Sequence, residues 1–319
     1  MDSVMVRREG EGRMTATSER AISVSVVVAV RGNVPALYGL LHRLGEQTFS
    51  GRIQVVVVDN HRRRWLFDEV VGPGDVVVHE PRAGLSRARN TGVAHADERA
   101  DYVVFTDPDS RPDPEWVRML VGELERTGVY CAGGRLVPWF VGFEQPPALD
   151  AGLEQLFVPP SWPEQATPLQ APFWLAGCNL ATRRWPAPSF DERLGVCGRR
   201  RLSCEDVELV QRVQAEGRQV LVVPDAVVRR AIHARDLRLS ALIRRGFGHG
   251  VSLARLQRRH PYAEVYDTAR VRQVLASGAS WRAKAVHLAR IAGWRSAALF
   301  HRGPAPTESD VEAGAVSSA

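Results

Sequence analysis

The chain has 319 residues, 45% of them hydrophobic, enough for a sizeable core in one large domain or two small ones. Its net charge of +6 and pI near 9.6 suit an anionic partner such as nucleic acid, a membrane surface or a phosphorylated ligand, and Lys284 is the only lysine, so the excess is arginine. No run of about 18 apolar residues and no signal-like apolar segment occurs, so a soluble, cytoplasmic protein is expected.

Residues 1–20 are polar and aperiodic and are predicted to be disordered, as are residues 303–319. Ser23–Val30 is a near-continuous β-branched run, the mark of a strand buried on both faces. Pro35 opens a helix with Leu37, Leu40, Leu41 and Leu44 on one face. Ile53–Val58 is a second buried strand ending at Asp59-Asn60, and Val76–Val78 a shorter third. Gly84–Gly92 reads as a loop leading into a helix.

Tyr102–Thr106 is a fourth buried strand, and it ends in Asp107-Pro-Asp109. Two carboxylates on a strand tip suit a divalent cation, because oxygen ligands favour magnesium or manganese. The bland alternative is a turn and helix cap, with Asp113-Pro114 opening a helix to Arg126. Alternating strands and helices argue for an α/β fold, a mostly parallel sheet flanked by helices. Right-handed crossovers then bring Arg31, Asp59 and the Asp107/Asp109 pair to one edge of that sheet.

Residues 136–172, rich in proline and aromatics, read as an irregular region over the sheet edge; Trp139, Phe140, Phe143, Trp162 and the nearby Phe173 belong to this aromatic set. Trp174–Ala181 returns to strand character. A basic loop at residues 199–201 precedes a helix from Glu205 to Glu216, stopped by Gly217. Gln219–Val223 is a strand, and Ala226–Ile232 extends the pattern to His233. From Leu239 the chain is helical and basic, with a break or close packing expected at the glycines of Gly246–Gly250, and a last amphipathic helix spans Trp281–Phe300. Cys131, Cys178, Cys197 and Cys204 form no Cys-x-x-Cys pair, which argues against zinc and against a disulfide framework.

An ordered set of motifs resembles the inverting family-2 glycosyltransferases of the GT-A fold. It comprises Val26–Val30, Val58-Asp59-Asn60, Gly84–Gly92, Thr106–Asp109, Gly177–Ala181 and Cys204–Leu209, followed by Arg212 and Gly217. The first strand departs from the family's usual Pro-Thr-Tyr-Asn and continues as Ala29-Val-Arg31-Gly-Asn33.

The resemblance implies a nucleotide-diphospho-sugar donor and bound Mg2+ or Mn2+. It implies that Ala29, Arg31, Asp59, Arg89 and Asp107 serve the donor, with Asp59 toward the base. Asp109 would anchor the metal, with Asp107 and His233 as further ligands. Asp206 would be the catalytic base beside Glu205, and Trp174 and Gly177 would line the acceptor site. The expected organisation is a nucleotide-sugar half at residues 21–135, an acceptor half at 136–238 and C-terminal helices at 239–302.

The expected acceptor is a glycan, a lipid-linked sugar or a small molecule, with no nucleic acid and with a peripheral membrane contact through the basic helices. Three other readings compete. A nucleotidyltransferase would share the sheet and the metal without needing Glu205-Asp206. A haloacid-dehalogenase-like phosphatase would need a lysine near its nucleophile, and Lys284 lies in a late helix. A nucleic-acid-binding protein rests on charge alone.

Overall fold

A computed structural model describes residues 20–144, 151–154, 156–159, 161–170, 174–198, 201–260 and 277–300. The two predicted disordered ends, apart from residue 20, lie outside the described residues, as do Phe173, Arg199 and Arg200.

Four parallel strands form one half of the sheet. They are β1 (Ser23–Val30), β2 (Arg52–Asp59), β3 (Val76–His79) and β4 (Tyr102–Thr106), in the order β3-β2-β1-β4. Register aligns Val30 with Asp59 and Val28 with Thr106, so the polar residues that end these strands emerge at one edge. The sheet continues through β8 (Leu180–Arg183), β6 (Cys131–Phe140), β9 (Val220–Ile232) and the short β5 (Ser110–Pro112), with β7 (Thr167–Pro168) on β9. The β4–β8, β8–β6 and β5–β9 pairs are antiparallel and β6–β9 is parallel.

The β-branched runs are buried on both faces because side chains alternate. Val24, Val26, Val28 and Val30 pack with Leu37, Leu40 and Leu44 of α1 (Val34–Gly45) and Trp116, Leu120 and Leu124 of α3 (Trp116–Thr127). Val27, Val56, Val58, Val103 and Phe105 face Ala88 and Val93 of α2 (Leu85–Ala94) and Leu209, Val210 and Val213 of α5 (Glu205–Ala215). A one-turn α4 (Ala151–Glu154) and two long helices, α6 (Leu239–Arg259) and α7 (Trp281–Phe300), complete the described helices.

The sequence expectation fails at four places. Gly84–Gly92 is not a loop: α2 begins at Leu85. A Cβ on Gly92 would stand 2.3 Å from Val27 Cγ1, so glycine there lets the helix lie flat on β1. Residues 136–140 are not irregular but continue β6, hydrogen-bonded along β9. Only Leu180 and Ala181 of the Trp174–Ala181 region join the sheet, at the start of β8. Asp113 does not cap α3 with its side chain; it pairs with Arg229 of β9, and the helix starts after Glu115 with no side-chain cap.

The glycines of α6 cause no break. A Cβ on Gly246 would meet the Val286 carbonyl at 2.7 Å, one on Gly250 the Arg290 carbonyl at 1.9 Å, and one on Gly293 the Phe247 carbonyl at 2.1 Å. Backbone contact between α6 and α7 thus outweighs the poor helix propensity of glycine, roughly 1 kcal/mol per residue.

Candidate active site

Arg89 on α2 links the tip of β4 to the start of α5. Its Nη2 donates to Asp107 Oδ1 and its Nη1 to Glu205 Oε1, each at 3.0 Å, and the residue is only 2% exposed. A buried guanidinium is tolerable only when its donors are matched, and two carboxylates do that here. Gly177 covers its other side: a Cβ there would stand 2.4 Å from Arg89 Nη1. Arg89 therefore positions the two acids rather than reaching into the crevice.

Glu205 and Asp206 open α5, where the helix dipole favours anions. Cys204, just before them, has φ +70°, a left-handed conformation that costs a non-glycine residue on the order of 1 kcal/mol and aims the first turn. Glu205 is buried. That burial, with Asp206 beside it, pushes its carboxyl up to about 7 against the opposing pull of Arg89. Asp206 is half-buried; its Oδ2 accepts from the Gly177 N–H at 2.9 Å and its Oδ1 from the Val207 N–H. It has no ion-pair partner among the described residues, so one adjacent acid is locked and the other is accessible.

Asp109 is half-buried beyond Asp107. Burial and then the Asp107 charge raise its pKa, while Arg230 and His233 oppose the rise. His233 directly follows β9; its N–H donates to Asp236 Oδ2 at 3.0 Å in the turn at Ala234–Leu237, and its Nε2 is buried with no hydrogen-bond partner among the described residues. An orphaned imidazole nitrogen on the same side as two carboxylates fits a divalent cation, although no group of three or more His, Cys, Asp or Glu side chains among the described residues is close enough to hold one unaided. A diphosphate would have to supply the remaining oxygens.

Two arginines that the sequence reading passed over stand at this wall. Arg230 on β9 is paired across the sheet with Ser110, next to Asp109. Burial opposes its charge, but Cys178, Asp107, Asp109 and Asp206 together raise its pKa. Arg245 on α6 lies with its guanidinium carbon 4.6 Å from the Phe157 ring centre; burial and then Arg230 lower its pKa to about 9.

On the donor side, Asp59 is fully buried. Its Oδ2 accepts from the Trp65 and Leu66 N–H groups, and its Oδ1 from the His61 N–H and Nδ1. Burial opposes ionisation there, but these bonds win and lower its pKa. The carboxylate expected to meet a base holds the 61–66 loop in this structure, and within that loop His61 stands edge-on to the half-exposed Trp65. Asn60, another residue not singled out from sequence, fixes the approach to α2 by donating to the Glu80 and Arg82 carbonyls and accepting from Gly84 N–H. Ala29 is buried in the core, whereas Arg31 is exposed at the tip of β1. Trp174 packs partly against the core, and Gly177 acts through Arg89 and Asp206. A surface depression lined by Tyr130, Trp185 and Arg218 lies at the opposite sheet edge, away from these groups.

Residues 25–151 match the family model "Glycosyl transferase family 2". Among solved structures, the mannosyltransferase PcManGT from Pyrobaculum calidifontis, in complex with GDP-Man and Mn2+, is similar over 94% of this chain and 81% of its own, at 18% identity and a TM-score of 0.52. TarS of S. aureus is similar over 89% of this chain at 14% identity and a TM-score of 0.51, and the chain spans only 56% of its length. No curated protein matches the chain by sequence. With the parallel sheet, its ordered strand ends and the acids gathered there, residues 25–151 match a family 2 glycosyltransferase model and the chain has the GT-A fold.

Proposed function

We propose that the protein is a metal-dependent, inverting glycosyltransferase that moves a sugar from a nucleotide-diphospho-sugar to an acceptor hydroxyl. The observation that supports this reading is the half-buried Asp206 carboxylate, oriented by the Gly177 N–H and acting on Arg230 together with Asp107 and Asp109. An acceptor hydroxyl is a weak nucleophile, and a positioned carboxylate takes its proton as the new C–O bond forms. With one base and direct displacement, the anomeric centre inverts. Glu205, held by Arg89, keeps the α5 turn in place and would lie beside the acceptor.

Asp109, Asp107 and His233 would hold Mg2+ or Mn2+, which neutralises the charge left on the departing diphosphate. The similar PcManGT was solved with GDP-Man and Mn2+, which supports both donor class and metal for this chain. The base would lie against the loop that Asp59 organises, near Trp65, and the exposed Arg31 would meet the donor from β1. The donor half then corresponds to residues 21–135 and the acceptor half to 136–238, where Trp174 borders the site.

The accessible acid beside Glu205 favours sugar transfer over nucleotidyl transfer, which has no use for that pair. A panel of UDP-, GDP- and dTDP-sugars with Mn2+ and mass spectrometry of products tests this. Turnover of a nucleotide-sugar is expected, and release of pyrophosphate from a nucleoside triphosphate instead would sink it.

The acceptor class (glycan, lipid-linked sugar or small molecule) leads to the helices at residues 239–302. Neither α6 nor α7 contains an acidic residue, and Ile243, Phe247, Trp281 and Leu288 on them are exposed. No helix among the described residues is long and apolar enough to cross a membrane. This supports a cytoplasmic protein with peripheral contact to an anionic bilayer. Flotation with phosphatidylglycerol vesicles should carry the intact chain and should weaken on truncation after residue 260; equal behaviour of the two would reject the contact.

A further inference from the structure

Arg230 and Arg245 come from β9 and α6, yet both rest on one buried residue. Arg230 Nη1 donates to the Phe157 carbonyl at 3.1 Å, while the Arg245 guanidinium lies over the Phe157 ring, 4.6 Å from its centre. Phe157 is itself buried, 2% exposed. Neither guanidinium forms an ion pair among the described residues, and Arg245 makes no hydrogen bond there. The nearby carboxylates act on them only at longer range: Asp107, Asp109 and Asp206 on Arg230, Asp109 and Asp236 on Arg245. The exposed Arg201 adds a third positive charge from the loop before α5.

Two like charges side by side in a half-buried wall repel one another, and an anion that bridges them relieves that repulsion. Each guanidinium carries five N–H donors in a planar fork. Of these, the described contacts use one on Arg230 and none on Arg245. A tetrahedral anion with several oxygens matches two such forks better than a single carboxylate does. Arg89 and Arg229 do not offer this: Arg89 is tied to two acids, and Arg229, the exposed neighbour of Arg230, pairs with Asp113.

We propose that Arg230 and Arg245 form a clamp for a phosphoryl group of a substrate, set beside Asp109 on the α6 side of the crevice. The assignment deepens the glycosyltransferase reading and rests on it for the word substrate, but anion binding by the pair does not. Two substrates have the required chemistry: the donor, through its diphosphate, and an acceptor that bears a phosphate. Arg245 is carried on α6, outside residues 21–135.

The test uses the full-length protein and its Arg230→Met, Arg245→Met and double variants, with Arg229→Met as a control and Arg245→Lys as the charge-conserving change. Thermal melts without ligand establish that each is folded. Calorimetric titration with inorganic pyrophosphate should give at least tenfold weaker binding for the double variant, a smaller loss for Arg245→Lys and no change for Arg229→Met. Equal pyrophosphate affinity in wild type and double variant would overturn the clamp, as would an equal loss in Arg229→Met.

Two further arms separate the sources. GDP or UDP with Mn2+ weakened in parallel assigns the clamp to the donor; an alkyl phosphate weakened while the nucleotide binds within twofold of wild type assigns it to the acceptor. If no nucleotide-sugar is consumed yet pyrophosphate binding still depends on the pair, the clamp stands and the glycosyltransferase reading fails.

Discussion

The crevice has two walls that use the same residue types in opposite ways. Between β4 and α5, Arg89 is buried and both its carboxylate partners are in hydrogen-bond contact, so its charge is already matched inside the protein. Between β9 and α6, among the described residues, Arg230 and Arg245 have no carboxylate partner within ion-pair distance and His233 Nε2 has no hydrogen-bond partner. A matched charge holds the scaffold and an unmatched one waits for a ligand. Asp59 belongs to the first kind and Asp206 to the second, although both are acids close to the ends of regular elements.

The largest effect should come from Arg89→Met. It leaves Asp107 and Glu205 with no buried counter-charge, and breaking such a pair from one side costs about 3–5 kcal/mol. Thermal denaturation should show a large fall in Tm. If Arg89→Met melts like the wild type, the matched wall is not structural.

Asp206→Asn should keep the fold and nucleotide binding while turnover falls by about 100-fold or more, the usual consequence of losing a general base. Steady-state kinetics would read this as a loss in kcat; unchanged kcat moves the base elsewhere.

A smaller effect concerns pH. Glu205 is pushed up to about 7 in the folded chain, above its ordinary value of 4.5. Between those values the folded state binds more protons than the unfolded state. Stability from this group is therefore full below pH 4.5 and is lost as pH rises through about 7. One pKa unit corresponds to about 1.4 kcal/mol, so the loss is on the order of 2 kcal/mol once its coupling to Asp206 is discounted. Glu205→Gln should flatten the Tm–pH curve across this range, and an unchanged slope would remove Glu205 as its source.

Arg230→Met should be the mildest change for the fold. It removes one hydrogen bond to a carbonyl, worth roughly 1 kcal/mol net. A fall as large as that of Arg89→Met would erase the contrast between the walls.

Much of the parallel half was legible in the residues. Near-continuous β-branched runs such as Val24–Val30 and Val55–Val58 suit a strand between two helical layers, and the charged residues that follow them, Arg31 and Asp59, mark the strand tips. The direction of the side chains was not legible. Whether Asp59 faces a ligand or its own loop depends on the backbone N–H groups of Trp65 and Leu66, set by a turn with no sequence signature.

Arg230 and Arg245 were missed for a different reason. In a chain whose basic residues are almost all arginine, two more carry no contrast, and their pairing depends on β9 lying against β5 and on α6 meeting Phe157. The glycines of α6 signalled either a break or close packing, and only the partner helix decides between them.

The account stands or falls on what Asp206 does at the anomeric carbon. The direct measurement is proton NMR of the first sugar transferred, or released to water, from an α-linked nucleotide-sugar with Mn2+, in wild type and in Asp206→Asn. The account predicts a β-configured first product from the wild type and almost none from the variant. An α-configured first product, or equal rates from the two proteins, would contradict it.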